Sequence, residues 1–355
     1  MRAVVLSDLH LGTVTRRDLL RRAAPRAALM ERLSGADHVV LLGDVLELRE
    51  LPLAAVLREA EPFFRELGEA AGDARITIVP GNHDHRLSWP ITDGRTGQLP
   101  VSAAVTDPGS EPFELISSWL GKGLELAYPG AWLRPDVYAT HGHYLDCHLE
   151  LPTFERLAIA ATARVVGGDG IRSASEHEAA VAPLYSLAYS LAQASRRGAL
   201  FGGGRTVSTW ERLAGENGRQ RVGARLAAGL VLPATVGVLN RTGFGPLSAD
   251  LSGPSLRRTA LRAMTTVATA LGLHEAHVLF GHTHRSGPWP DDDGAEWELP
   301  GGGRLVNTGS WVHEPAFVRT RGRASPYWPG VIATVDDEGP PRLERLLDEL
   351  PATGT

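Results

Sequence analysis

Short apolar runs that stop abruptly at Asp, Asn or His punctuate this chain. Ala3–Ser7, His38–Leu42, Arg75–Pro80, Val137–Thr140 and His277–Phe280 each predict a strand, and Arg304–Asn307 and Val331–Val335 predict two more. Between the first three, Arg17–Leu33 and Leu53–Ala71 carry apolar residues at helical spacing. This β-α-β-α-β order predicts parallel strands joined by crossover helices. Residues 88–112 are rich in Pro, Gly, Thr and Asp without periodicity and read as a long surface loop. Residues 285–303 read as a hairpin turn in which the acidic run Asp291-Asp292-Asp293 is solvated.

The pattern changes over residues 148–275. Glu150–Val165, Ser175–Arg197, Thr206–Ala214 and Leu256–Leu271 are Ala/Leu-rich predicted helices, with glycine joints at Gly167-Gly168, Gly202-Gly203-Gly204 and Gly215–Gly218. No strand precedes the Gly202–Gly204 run and no Lys-Ser/Thr follows it, so it reads as a hinge and not as a phosphate-binding loop. Strands resume at His277. The segment 148–275 is therefore expected to be a helical cap inserted into a core formed by 1–147 and 276–350.

Composition narrows the class. A chain of 355 residues, 43% hydrophobic and 22% charged, can bury a large core without disulfides. The single cysteine, Cys147, excludes an internal disulfide framework, fits a reducing cytosol, and lacks the ordered His and Asn partners of a nucleophile. A net charge of −5 and no basic stripe argue against nucleic-acid binding, although residues 150–270 hold 14 Arg against 8 acidic residues. No secretory signal is visible, since Met1-Arg2 leads straight into the first strand. Ala179–Ser195 and Leu226–Asn240 are uncharged, yet each falls short of the ~18 apolar residues that a spanning helix needs. The expectation is a cytoplasmic protein, with peripheral membrane contact through the cap left open and the oligomeric state unread.

The chemistry sits where the apolar runs stop. Asp8-Leu9-His10, Gly43-Asp44, Gly81-Asn82-His83-Asp84, His141-Gly142-His143 and Gly281-His282-Thr283-His284 follow the five strands named first. Loops after strand ends are where an α/β sheet collects ligands. Any one of these motifs alone is weak. Together they hold, in or directly beside them, seven of the 13 histidines, which chance does not arrange in this order.

Asp8 and His10, two apart on an extended end, can chelate one ion. Asp44 can bridge two ions, since a carboxylate has two oxygens and its charge offsets repulsion between the metals. Asn82 gives a neutral oxygen; His141, His282 and His284 give imidazoles. Mixed N/O donors suit manganese, with iron and zinc as alternatives, over calcium or magnesium. Gly43, Gly81 and Gly281 let the backbone turn sharply. Two divalent ions about 3.5–4 Å apart can clamp a phosphoryl oxygen and lower the pKa of a water towards ~7, giving hydroxide to attack phosphorus in line.

The order Asp8-x-His10, Gly43-Asp44-x-x-Glu47, Gly81-Asn82-His83-Asp84, His141, Gly281-His282-x-His284 resembles the calcineurin-like metallophosphoesterase superfamily. The resemblance implies an α/β fold, a two-sheet αββα sandwich, here with the inserted helical cap. It implies one metal on Asp8, His10, Asp44 and His284 and the other on Asp44, Asn82, His141 and His282. It also implies that His83 faces the scissile phosphate without binding metal, and that Glu47, where relatives carry the shorter Asp, orients it. On that basis Glu47→Gln is expected to lower turnover and leave metal content intact.

Gly43-Asp44-x-x-Glu47 and Asn307-Thr308-Gly309-Ser310-Trp311 are similar to the UDP-2,3-diacylglucosamine pyrophosphohydrolase-like branch, which usually has Arg in place of His83 and a smaller cap. The implied substrate is a small or lipid-linked phosphate ester or diphosphate. Arg86 is the candidate phosphate contact, by bidentate guanidinium pairing. His85, His143, Asp146 and His148 are candidates for the surrounding shell, unranked. A nuclease, and a metal-binding scaffold without catalysis, are the rival readings.

Overall fold

A computed structural model describes residues 1–150, 171–194, 253–319 and 321–347. The predicted helix Glu150–Val165 beyond its first residue, the predicted helix Thr206–Ala214, the glycine joints and the stretch Leu226–Asn240 lie outside the described residues.

Two sheets form the centre. In the first, β1 (Ala3–Leu6), β2 (His38–Leu42), β3 (Arg75–Val79) and β5 (Glu125–Tyr128) run parallel. The antiparallel strands β4 (Ala103–Thr106), β11 (Val331–Val335) and β12 (Arg342–Arg345) complete it in the order β12-β11-β1-β2-β3-β5-β4. The second sheet runs β6-β7-β8-β10-β9, from β6 (Gly130–Arg134), β7 (Val137–Thr140), β8 (His277–Phe280), β10 (Leu305–Thr308) and β9 (Ser286–Gly287). Its inner trio β7, β8 and β10 is parallel.

Strand periodicity sorts the two faces. Ala3, Val5, Val40, Leu42 and Val79 of the first sheet share one apolar cluster with Val137, Ala139, Leu279 and Val306 of the second. Their neighbours Val4, Leu6, Val39 and Leu41 point the other way, into a cluster with helical Leu29, Phe63 and Phe64. Strands buried on both faces read as continuous apolar runs, which is why they were legible. The helices are α1 (Ala23–Leu33), α2 (Leu53–Ala71), the single turn α3 (Trp89–Thr92), α4 (Glu111–Leu120), α5 (Ala174–Ala194) and α6 (Gly253–Ala270). α2 buries Val56, Leu57, Ala60, Phe63, Phe64, Leu67 and Ala71, one stripe at helical spacing. α6 buries Leu261, Met264, Val267 and Ala268 in the cluster that holds Tyr138, Val278 and Phe280, on the outer side of the second sheet. The arrangement is a mixed α/β sandwich, helices outside and two sheets within, as expected.

Three expectations need correction. The predicted helix from Arg17 breaks: a 3-10 turn at Leu19–Arg21 is followed by extended Arg22, and α1 begins only at Ala23. Residues 88–112 are not one loop, since they contain α3 and the edge strand β4. Nor is the acidic run uniformly solvated. The Asp292 side chain is only 3% exposed, with Oδ1 accepting from Arg285 Nη2 at 2.6 Å and from Arg257 Nη1 at 3.0 Å. A carboxylate between two guanidinium groups ties α6 to the loop that follows His284.

Candidate metal centre

Asp8 and His10 follow β1, Asp44 follows β2, Asn82 and His83 follow β3, His141 follows β7, and His282 and His284 follow β8. These strand ends converge. Ligand atoms lie within 4.8 Å of one another in each of three groups: Asp8, His10 and His284; Asp44, His141 and His282; and His10, Asp44 and His83. Asp8, Asp44, Asn82 and His141 are buried.

Asp8 and His10 are not extended. Among the described non-glycine residues, seven have positive φ, and five of them are Asp8 (55°), His10 (46°), Asp44 (50°), His282 (67°) and His284 (58°). Left-handed backbone costs an L-residue on the order of 1–2 kcal/mol, so it persists only where surrounding bonds enforce it. They do: Asp8 N–H donates to Gly43 O (3.1 Å), His10 N–H to Asp44 O (2.8 Å) and Trp311 N–H to Asp8 O (3.0 Å). His282 N–H reaches the Asp8 carboxylate at 3.1 Å. Asp84 binds the Asp44 loop to the Asn82 loop, accepting from Gly81 N–H (2.6 Å), Val45 N–H (2.7 Å), Asp44 N–H (3.2 Å) and Leu46 N–H (3.3 Å).

The glycines matter for space more than for φ. Only Gly43 of the three has positive φ, +78°, and a Cβ there would lie 2.2 Å from His141 Nδ1; a Cβ on Gly81 would lie 2.3 Å from Asp44 Oδ1.

Tautomers are set from outside the cluster. His141 Nδ1–H donates to Leu42 O (3.1 Å) and His10 Nδ1–H to Glu47 Oε2 (2.9 Å), which turns both Nε2 atoms inward. His282 places Nε2 on Asp146 Oδ1 (3.0 Å) and Nδ1 inward. One terminal atom of the Asn82 amide then lies 3.1 Å from His141 Nε2, 3.1 Å from His282 Nδ1 and 3.2 Å from Asp44 Oδ2. Tetrahedral ligands at ~2.0–2.1 Å from an ion sit about 3.3 Å apart, so this donor set fits a transition-metal ion. On the other side, His284 Nε2 is 3.2 Å from His10 Nε2 and 3.4 Å from Asp8 Oδ1.

Glu47 accepts from His83 Nδ1 at 2.7 and 2.8 Å as well as from His10, so one buried carboxylate orients two imidazoles. The predicted Glu47–His83 contact exists. Because Glu47 also holds His10, Glu47→Gln is expected to weaken metal binding as well as turnover.

Asp44 is placed to serve both donor groups. Burial alone would raise its carboxyl, but the charges of His141, His83 and His10 together hold it well below the usual range. Burial likewise disfavours charge on His10, yet the Glu47 hydrogen bond and the charges of Asp44, Glu47 and Asp8 push the ring up to about 10. His141 rises to about 9 against its burial, mainly through Asp44. His284, half-buried and beside His10, falls to about 4, mainly through loss of hydration.

In ion-free protein at pH 7, His10 carries a proton on the Nε2 that a cation needs, so loading releases it and affinity rises with pH until about 10. Calorimetric Mn titrations at pH 7, in two buffers of different ionisation heat, should report net proton release. Equal heats in both buffers would exclude it.

Arg86, the candidate phosphate contact, is held against aromatic rings. Its guanidinium lies 3.1 Å over the Trp89 ring and 5.8 Å from that of Tyr189, and among the described residues it is not hydrogen-bonded to the donor set. The four unranked residues separate clearly. Asp146 holds His282; His85 Nε2 pairs with Glu178 Oε1 (2.8 Å); His143 Nε2 meets Tyr128 OH (3.2 Å); His148 meets His177 (2.9 Å). His143 is held well below the usual imidazole range by burial and by its neighbours His141, His85 and His282.

Glu178 of α5 went unnoticed in the sequence. It also accepts from Tyr128 OH (2.5 Å) and Tyr144 OH (3.0 Å), and with its His85 contact it joins α5 to the end of β5 and to the loops that follow β3 and β7. Asn307 supports the remaining loop. Its Nδ2 donates to Gly281 O (3.1 Å) and Thr283 Oγ1 (2.9 Å), and Thr308 Oγ1 bonds Ser7 Oγ (2.6 Å). The Asn307–Trp311 motif thus braces the loops of Asp8 and His282.

A two-sheet sandwich with Asp/His donors converging at its strand ends defines the class as metal-dependent phosphoester hydrolases. Residues 1–163 match the family model of the calcineurin-like phosphoesterase superfamily domain. His282 and His284 lie beyond that span, and β8 brings them to the cluster. No curated protein matches the chain. Among solved structures, a dimetal phosphatase from Danio rerio aligns over 94% of this chain and 91% of its own, with 14% identity and a TM-score of 0.36. No helix among the described residues is long and apolar enough to cross a membrane.

Proposed function

We propose that the chain hydrolyses a phosphate ester or diphosphate with two divalent ions. Asp8, His10, Asp44 and His284 would hold one ion, and Asp44, Asn82, His141 and His282 the other. The observation that carries this reading is the position of Asp44 Oδ2, 3.3 Å from His141 Nε2 and 3.7 Å from His10 Nε2, between the two donor groups. Ions bound there supply Lewis-acid polarisation of the phosphoryl oxygens and a water of lowered pKa. The donor chemistry favours manganese, iron or zinc.

The chain's own groups do the rest. His83 Nδ1–H is fixed on Glu47, which leaves Nε2, 4.0 Å from Asp44 Oδ2, to face a leaving-group oxygen and pass it a proton. Asp146 and Leu42 O keep His282 and His141 in register. The substrate class is a small or lipid-linked phosphate compound, by the similarity of Gly43-Asp44-x-x-Glu47 and Asn307–Trp311 to the UDP-2,3-diacylglucosamine pyrophosphohydrolase-like branch.

The test is a hydrolysis panel on manganese-loaded protein: p-nitrophenyl phosphate, its bis-ester, nucleotides and nucleoside diphosphate sugars. Turnover of at least one class, lost on chelation and restored by manganese, is expected. Protein that holds manganese and turns over none of them would defeat the proposal.

A further inference from the structure

We propose that Arg49 weakens the ion position built on Asn82, making it the more readily exchanged of the pair; this rests on the dinuclear reading above. Asn82 and Arg49 are both buried, 4% and 3% exposed. The inner terminal atom of the Asn82 amide faces His141 Nε2, His282 Nδ1 and Asp44 Oδ2, at 3.1, 3.1 and 3.2 Å. The outer terminal atom lies 3.1 Å from Arg49 Nη1.

The two sides make the same demand. A guanidinium only donates, so it asks for the amide oxygen. A cation among His141, His282 and Asp44 also asks for the oxygen, because the amide nitrogen has no lone pair to give. One amide cannot meet both. With an ion bound, the Asn82 NH2 is turned against a guanidinium, donor against donor and positive charge near positive charge. With the ion gone, the amide can rotate and give its oxygen to Arg49, with two N–H groups turned towards the pocket. Loading strips any proton from His141 Nε2, so the conflict belongs to the ion-bound state whatever that ring carries beforehand. Outer partners of a metal ligand change affinity by about 10- to 100-fold. No motif exposes this, since Arg49 follows Asp44 by five residues and looks in sequence like a surface cation.

The experiment titrates manganese into the ion-free full chain, following free Mn by electron paramagnetic resonance. Wild type should bind in two events, and R49M and R49Q should each tighten the weaker event by about 10-fold or more while leaving the tighter one unchanged. R49Q removes the charge but keeps a polar end on a shorter side chain, so it covers the case in which R49M fails to fold. In N82D both terminal atoms accept, so the conflict vanishes and adding R49M should no longer tighten binding. If R49M and R49Q leave the weaker constant unchanged or weaken it, Arg49 has no such role. If wild type binds fewer than two Mn, the dinuclear reading itself fails and takes this inference with it.

Discussion

Asp44→Asn is expected to lower manganese-dependent turnover on the order of 1000-fold, as ~4 kcal/mol of lost stabilisation at 1.36 kcal/mol per decade. Asp44 belongs to two of the three donor groups, and its carboxylate stands between His141 and His10. Two neighbouring cations need a negative charge between them, and Asn removes that charge with little change of shape. Its remaining oxygen can still accept from His83 N–H, which Asp44 Oδ1 does at 2.7 Å, so the loop should keep its form. The loss is therefore one of metal and chemistry and not of folding. Elemental analysis beside steady-state kinetics checks this. Full manganese occupancy together with turnover within tenfold of wild type would remove Asp44 from the role of shared ligand.

His83→Asn and Glu47→Gln should separate two functions that meet on one carboxylate. His83→Asn removes only the proton donor: kcat falls about 100-fold or more, with manganese affinity held. Glu47→Gln releases His10 as well. Oε2 of Glu47 accepts from both His10 Nδ1 at 2.9 Å and His83 Nδ1 at 2.7 Å, and Oε1 lies 2.8 Å from His83 Nδ1, so a glutamine removes the shared negative charge and turns its NH2 against His83 alone or against both rings. The expected result is a similar fall in kcat together with manganese affinity weaker by about 10-fold or more. Should Glu47→Gln bind manganese as wild type does, the His10 contact has no energetic weight.

The fold was legible where burial is symmetrical. β2, β7, β8 and β11 have the bounds read from sequence, because a strand covered on both faces leaves an uninterrupted apolar run. The missed elements have mixed exposure. β4 alternates half-buried and exposed residues at a sheet edge, and β5 is four residues long, between a glycine turn and Pro129. Ala103–Thr106 and Glu125–Tyr128 are too short and too mixed to announce themselves. The seven proposed metal ligands were legible because each is a local event, a strand running into a donor. Glu178 and Arg49 were not, since each acts on a partner far along the chain or across a turn that carries no periodicity; Asp146 stood among four shell candidates, and only the fold pairs it with His282. Gly81 was noticed for the wrong reason: its φ is ordinary, and what forbids a side chain is the carboxylate of Asp44.

Both sheets are stitched from chain on either side of residues 148–275: β1 lies against β11, and β7 against β8. On the ribosome, β1 and β7 emerge first and wait with an open edge each, while the intervening chain is still being made. Open edges invite pairing with other nascent chains. Of the seven proposed ligands, Asp8, His10, Asp44, Asn82 and His141 precede that segment, and His282 and His284 follow it. Closing both edges, and completing the proposed ligand set, therefore waits for the chain that follows residue 275.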